Sequence, residues 1–173
     1  MICCNNCHSP TPRFQCGDCG EAFFCNASCQ RAENGEHYAD EIIPGLWLGS
    51  ICAVRSGKFD EFAIISIMNQ HDLDKITPRK HHLKLPMDDA VNEPIENYFD
   101  VSFKFIEKHI DSKKMSVLVH CHAGHSRSTT LVAHYLMKQG ICGTAYETLD
   151  YISKKRPAIG PNKGFIKKLR LFE

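Results

Sequence analysis

Residues 120–128 read His120-Cys121-His122-Ala123-Gly124-His125-Ser126-Arg127-Ser128, directly after the apolar run Ser116-Val117-Leu118-Val119. A cysteine, five residues and an arginine, set between a buried strand and an amphipathic helix, can hold a phosphate dianion against a thiolate. Small Ala123 and Gly124 let the chain curl, so that the N–H groups of His122, Ala123, Gly124, His125 and Ser126 surround one tetrahedral anion. A helix starting near Ser126 directs its positive N-terminal end at the same point. Arg127 adds a planar fork of donors that clamps two phosphate oxygens. An ordinary thiol, pKa about 8.5, is only a few per cent thiolate at neutral pH, and helix ends and cations shift that balance toward the thiolate. Cys121 is therefore the expected nucleophile toward phosphorus.

Cleaving a phosphate ester also requires a proton donor for the departing oxygen. Asp88 and Asp89, in Pro86-Met87-Asp88-Asp89-Ala90, offer one on a loop that follows a strand, although Asp pairs in loops commonly cap turns. Ser128 by itself reads as a helix-start serine and Asn162, after Pro161, as an N-cap. His81 and His82 read as a wet strand end. Lys154-Lys155-Arg156 and Lys167-Lys168 read as solvated helix faces whose charge suits a phosphorylated substrate.

The elements that must position these residues alternate. Ala63–Met68 and Val117–Val119 are continuous apolar runs of strand length, and Leu83–Met87 alternates. Between them a helix with Pro94 in its first turn places Ile95, Tyr98, Phe99, Phe103, Ile106 and Ile110 on one face. The helix from about Ser126 ends at Gly140. Thr144 and Glu147 form a capping box for another, which Pro157 stops, and a short helix follows Asn162. Interleaved strands and helices imply a three-layer α/β domain with a mainly parallel central sheet flanked by helices.

The chain has 173 residues, 43% of them hydrophobic, enough for one good core and a small appendage. A formal charge of +1 provides no long-range attraction to nucleic acid or anionic lipid, so neither is an expected partner. No apolar run approaches a membrane span, and Met1-Ile2-Cys3-Cys4 is no secretory leader, so a soluble intracellular protein, cytoplasmic or nuclear, is expected. Ten cysteines in a reducing compartment argue for metal ligands and a catalytic thiol, and seven of them precede residue 30. Residues 1–41 have few aliphatic side chains but carry Cys4/Cys7, Cys16/Cys19, Cys25/Cys29 and His37 at tetrahedral zinc spacing. Bound zinc would replace the missing core as the source of folding free energy. The linker to the second part falls near Asp40.

The loop resembles the active-site loop of the cysteine-dependent protein phosphatases, and its core from Ala123 to Ser128 is most similar to the dual-specificity branch. The resemblance runs from about Ile42 to Phe172. Ile43-Pro44-Gly45-Leu46-Trp47-Leu48-Gly49-Ser50 matches the opening strand, His134-Tyr135-Leu136-Met137 the helix after the loop, and Arg156–Phe165 the C-terminal segment. It implies a phosphotyrosine-phosphatase-like domain over 42–173. That domain would hydrolyse phosphotyrosine and phosphoserine or phosphothreonine in phosphoproteins through a phosphocysteine, without a catalytic metal.

Alignment through Tyr98-Phe99 places the general acid on Asp89. The resemblance makes Ser128 the hydroxyl that helps the thiolate leave, His120 a brace for the loop, Asn162 a hydrogen-bond partner of the loop, and His122 and His125 rim residues. Related lipid phosphatases carry lysines in this loop, and none is present here. The alternatives are a phosphatase of RNA 5′-phosphates or phosphoinositides, and a phosphoprotein-binding adaptor.

The N-terminal segment resembles MYND and HIT-type cross-braced fingers. There Cys4, Cys7, Cys25 and Cys29 would hold one zinc, and Cys16, Cys19 and His37 a second. Glu41 stands where the last cysteine is expected, and Asp40, Glu41, Cys3 or a residue of the following domain could complete that site. A protein partner for the finger is implied.

Overall fold

Two runs of branched apolar residues build the centre of the fold: β5 (Ala63–Met68) and β7 (Val117–His120), every residue of which is buried. Strands buried on both faces belong inside a covered sheet. The computed structural model, which describes residues 14–15, 23–24 and 38–173, shows that sheet. Its five strands run in the order β3 (Ala39–Ile43), β4 (Leu46–Gly49), β7, β5 and β6 (His82–Pro86). β4, β7, β5 and β6 are parallel, and β3 closes one edge antiparallel to β4, so the sheet is mixed. Each fully buried Leu or Ile on it stabilises the fold by about 1.5–3 kcal/mol. A separate antiparallel pair, β1 (Phe14–Gln15) and β2 (Phe23–Phe24), belongs to the cysteine-rich segment. The expected zinc ligands Cys4, Cys7, Cys16, Cys19, Cys25, Cys29 and His37 lie outside the described residues.

The expected linker near Asp40 is instead strand β3. Ala39 and Ile42 are both buried because an irregularity in the β3–β4 register between Glu41 and Ile43 breaks the alternation, and the turn at Gly45, with φ +82°, returns the chain into β4. The Glu41 carboxylate accepts from the Gly45 N–H at 2.9 Å and fixes that turn.

Short helices follow two strands and were not legible in the sequence: α1 (Ile51–Arg55), capped by Ser50, and α2 (Gln70–Asp74), capped by Asn69. α3 (Phe99–Glu107) is entered through a 3₁₀ turn at Ile95–Tyr98 and left through a π turn at Lys108–Ser112. α4 (Arg127–Lys138) is buried from Arg127 to Met137 and packs on β4, β5 and β7 and against α3, α5 (Ala145–Lys155) and α6 (Lys163–Leu169). Gly140, with φ +71°, stops α4 as expected. Thr144 and Glu147 form both halves of the capping box that opens α5. Among the described residues no helix is long and apolar enough to cross a membrane.

Candidate active site

β7 ends at His120, so Cys121 stands at the carboxyl edge of the central strand, where open α/β sheets place ligands. The loop that follows has a complete account of its carbonyls. Cys121 O accepts from His120 Nδ1, His122 O from Ile51 N, Ala123 O from Arg156 Nη2, Gly124 O from Arg156 Nε and Thr129 Oγ1, His125 O from Gly160 N, and Ser126 O from Thr130 N and Oγ1. With the carbonyls turned outward and satisfied, the peptide N–H groups are left to the centre of the loop. Gly124 makes the curl possible. Its φ is +75°, and a Cβ there would lie 2.5 Å from Gly49 O and 2.9 Å from Arg156 Nη2.

Cys121 is buried at the floor of a cleft of about 400 Å³ lined by loop residues 121–123 and 125–127 with Asp89, Gly160 and Asn162. Its Sγ accepts two hydrogen bonds, from Gly124 N at 3.2 Å and from Ser128 Oγ at 3.1 Å. Ser128 is fully buried, so its hydroxyl serves the sulfur and not solvent. Arg127 Nη1 donates to Met87 O at 3.0 Å, which fixes the guanidinium plane, while its buried Nε makes no hydrogen bond. Nε lies 3.6 Å from Asp89 Oδ2, and Arg127 lines the cleft in which an anion would sit.

Of the two candidate acids, Asp89 lines the cleft and Asp88 points into solvent. Asp89 Oδ1 accepts from Ser126 Oγ and from Asn162 Nδ2, each at 2.8 Å. Asn162 meets the loop through its backbone, N to Ser126 Oγ at 3.2 Å, and its Oδ1 caps α6 by accepting from Phe165 N at 3.0 Å. The expected loop bond is thus made by the main chain, and the side-chain amide holds Asp89.

Beneath the loop runs a polar chain that joins His120, expected as a brace, to Ser66 and His82, which the sequence does not mark. His120 Nδ1 faces the Cys121 carbonyl at 3.1 Å, and a carbonyl only accepts, so this nitrogen carries the proton. Nε2 therefore accepts from the Ser66 hydroxyl at 2.5 Å, and Ser66 Oγ accepts from His82 Nε2 at 2.7 Å. Burial pushes His120 down to about 3 and His82 down to about 4, so both rings are neutral and their tautomers are fixed. His82, expected as part of a wet strand end, is a member of the loop's support. Register puts Ser66 opposite His120 on one side and, on the other, His82 opposite Ile64, two residues before Ser66, so the three polar side chains meet, and local sequence carries no signal of it.

Arg156, read as part of a solvated basic face, is buried. Its fork grips two loop carbonyls, and Nη1 pairs with Asp40 Oδ2 at 2.6 Å. Its neighbours Lys154 and Lys155 are exposed as expected. The position directly before Pro157, where the helix must end, was the available signal. Of the residues considered for completing the second zinc site, Asp40 pairs with Arg156 and Glu41 accepts from the Gly45 N–H.

The dual specificity phosphatase catalytic domain family matches residues 46–173. The tyrosine-protein phosphatase yvh1 of Schizosaccharomyces pombe is 45% identical over 154 residues, covering 83% of this chain and 46% of its own length. A probable dual specificity protein phosphatase of Dictyostelium discoideum is 36% identical, covering 76% of this chain and 33% of its own. The chain thus spans less than half the length of these two relatives. Among solved structures, the human tyrosine phosphatase-like serine/threonine/tyrosine-interacting protein superposes with a TM-score of 0.71 at 27% identity, over 79% of this chain and 95% of that one. A cleft floored by Cys121 and a sheet of this order stand where such a domain needs them, and the chain belongs to the dual specificity phosphatase family.

Proposed function

We propose that this chain hydrolyses phosphotyrosine and phosphoserine or phosphothreonine in phosphoproteins. The observation that carries the reading is a thiol receiving two hydrogen bonds at the centre of a loop whose carbonyls all point away. Such a cup stabilises a thiolate and a bound dianion with the same donors. The Arg127 Nε and the loop N–H groups of residues 122–126 take the phosphate oxygens. The Cys121 thiolate attacks phosphorus from the floor, the ester P–O bond breaks, and Asp89 gives its proton to the leaving oxygen. Water then attacks the phosphocysteine with its proton passing to the Asp89 carboxylate, and Ser128 donates to the departing sulfur. His120, held by Ser66, fixes the peptide at which the loop begins.

The first relatives are named for tyrosine-protein and dual specificity phosphatases, which supports a protein substrate. The adaptor reading gains nothing from a site in which nucleophile, clamp and acid are all present. The test is hydrolysis of phosphotyrosine, phosphothreonine and phosphoserine peptides by the purified chain, set against RNA 5′-phosphates and phosphoinositides. The peptides are the expected substrates. Cys121→Ser is expected to lose turnover and keep phosphate binding. Turnover confined to RNA ends or inositides overturns the assignment of substrate, and activity above a few per cent in Cys121→Ser overturns the nucleophile.

The cysteine-rich segment is proposed to be a zinc-built module that binds a protein partner. Its support is the spacing of Cys4, Cys7, Cys16, Cys19, Cys25, Cys29 and His37. Asp40, Glu41, Cys3 or a residue of the catalytic domain would complete the second site. Catalysis itself is proposed to need no metal.

A further inference from the structure

The loop that carries Asp89 is fastened to α6 at three successive points. Asp89 Oδ1 takes the Asn162 amide at 2.8 Å. Two residues on, the Val91 carbonyl sits against Gly164, so close that a Cβ on Gly164 would lie 1.8 Å from that oxygen and 2.7 Å from its carbon. Farther along, Glu96 pairs with Lys168. Partners 89, 91 and 96 on one segment meet 162, 164 and 168 on the other, in matching order. The base of the loop is also tied, because Tyr98 Oη donates to the Pro86 carbonyl at 2.9 Å. The phosphate cup meets this strap at Ser126, whose Oγ donates to Asp89 Oδ1 and accepts from Asn162 N. Cys121, Ser128 and the loop amides are assembled from β7, α4, Arg156 and the His120 chain, none of which touches Val91 or Gly164 in these bonds.

From this geometry we infer that Gly164 and Asn162 are positioning residues for the general acid, holding the acid loop seated on α6. Gly164 is required for its lack of a side chain. Any Cβ must push the Val91 carbonyl outward, and Asp89 lies only two residues back along a chain of stiff peptide units. A displacement near 1 Å at a proton donor is enough to lose much of its contribution, since the donor must reach the leaving oxygen within hydrogen-bond distance. Asn162 adds the direct bond, and as the N-cap of α6 it fixes that amide relative to Gly164. The inference rests on Asp89 being the general acid.

The discriminating measurement is the dependence of kcat on the leaving group, with alkylation of Cys121 by iodoacetate as an independent report on the thiolate cup. Gly164→Ala is expected to lower kcat on alkyl and phenyl phosphates by about tenfold or more, to lower it much less on activated aryl phosphates, and to leave the alkylation rate near that of the parent. Asn162→Ser keeps a cap and loses the reach to Asp89, so it carries the same expectation if Gly164→Ala does not fold. Equal losses on all leaving groups, a parallel fall in alkylation, or no loss at all overturns the positioning role. Asp89→Asn is the reference. If it shows no leaving-group selectivity, the assignment of the acid falls, and the inference falls with it. If it shows selectivity and the two positioning variants do not, only the inference fails.

Discussion

The hydroxyl of Ser128 donates to the sulfur of Cys121 across 3.1 Å, from the first turn of the helix that begins where the phosphate loop ends. The bond links the two halves of the strand–loop–helix unit through the reacting atom. It assists most when the sulfur carries full negative charge, which happens when the thiolate is regenerated from the phosphocysteine.

Ser128→Ala should therefore slow breakdown of the intermediate more than its formation. Turnover is expected to fall by roughly 10²-fold, the usual cost of removing one donor to a developing anion. Rapid-mixing kinetics with an activated aryl phosphate should show a burst near one equivalent followed by a slow steady state. A variant that is slow without a burst would contradict this role.

Arg156→Ala removes a buried guanidinium that holds the Ala123 and Gly124 carbonyls and leaves the Asp40 carboxylate without it. A loss of about 3 kcal/mol in unfolding free energy is expected from breaking such a pair. Inhibition by inorganic phosphate should weaken in parallel, since the loop amides lose their orientation. Arg156→Lys should recover charge but not the forked grip, and so little of the phosphate affinity. Denaturant midpoints and phosphate inhibition constants measured together check both halves.

Stability should fall on acidification below the ordinary histidine range. Burial holds His120 at about 3 and His82 and His134 at about 4, all under the unfolded value of 6.5. Between those values the unfolded chain binds more protons than the folded one, so unfolding free energy rises with pH there. The contribution is fully present above about pH 6.5 and is lost as pH falls toward 4 and then 3. Urea midpoints at a series of pH values should show this slope. His120→Asn should reduce it.

Elemental analysis of the purified chain is expected to find at least one zinc. Chelation should unfold the cysteine-rich segment, whose few aliphatic residues cannot replace ligation energies of the order of 10 kcal/mol per site. Phosphatase turnover should survive, because the domain around Cys121 has its own core. A metal-free chain, or one whose turnover requires added metal, would be the contrary result.

How much of this was legible in the sequence depended on range. The phosphate loop could be read because nucleophile, curl, clamp and helix start are consecutive residues, and the capping box at Thr144 and the stop at Gly140 are equally local. Strand β3 was read as linker because only two of its residues are buried apolar ones, a weak signal beside a cysteine-rich segment. The Ser66–His120 bond joins residues 54 apart, and the Arg156–Asp40 pair joins residues 116 apart. Apart from Pro157 directly after Arg156, nothing near these residues marks them, since strand register and helix placement make those contacts. Asp89 is preferred over Asp88 by resemblance, and of the two it is Asp89 that lines the cleft.

The order of strands has a consequence for how the chain acquires its shape. β7 lies between β4 and β5, yet it follows β5 by more than forty residues. During synthesis β4 and β5 therefore emerge with open sides facing one another and no partner to fill the space. Long-range pairing of this kind is slow, and unpaired apolar strands are exposed to aggregation until it occurs. The last strand to arrive is the one that ends in Cys121. The loop that carries Cys121 is held by Arg156, farther along still, so the thiolate cup is complete only after the sheet has closed and the following helices have packed.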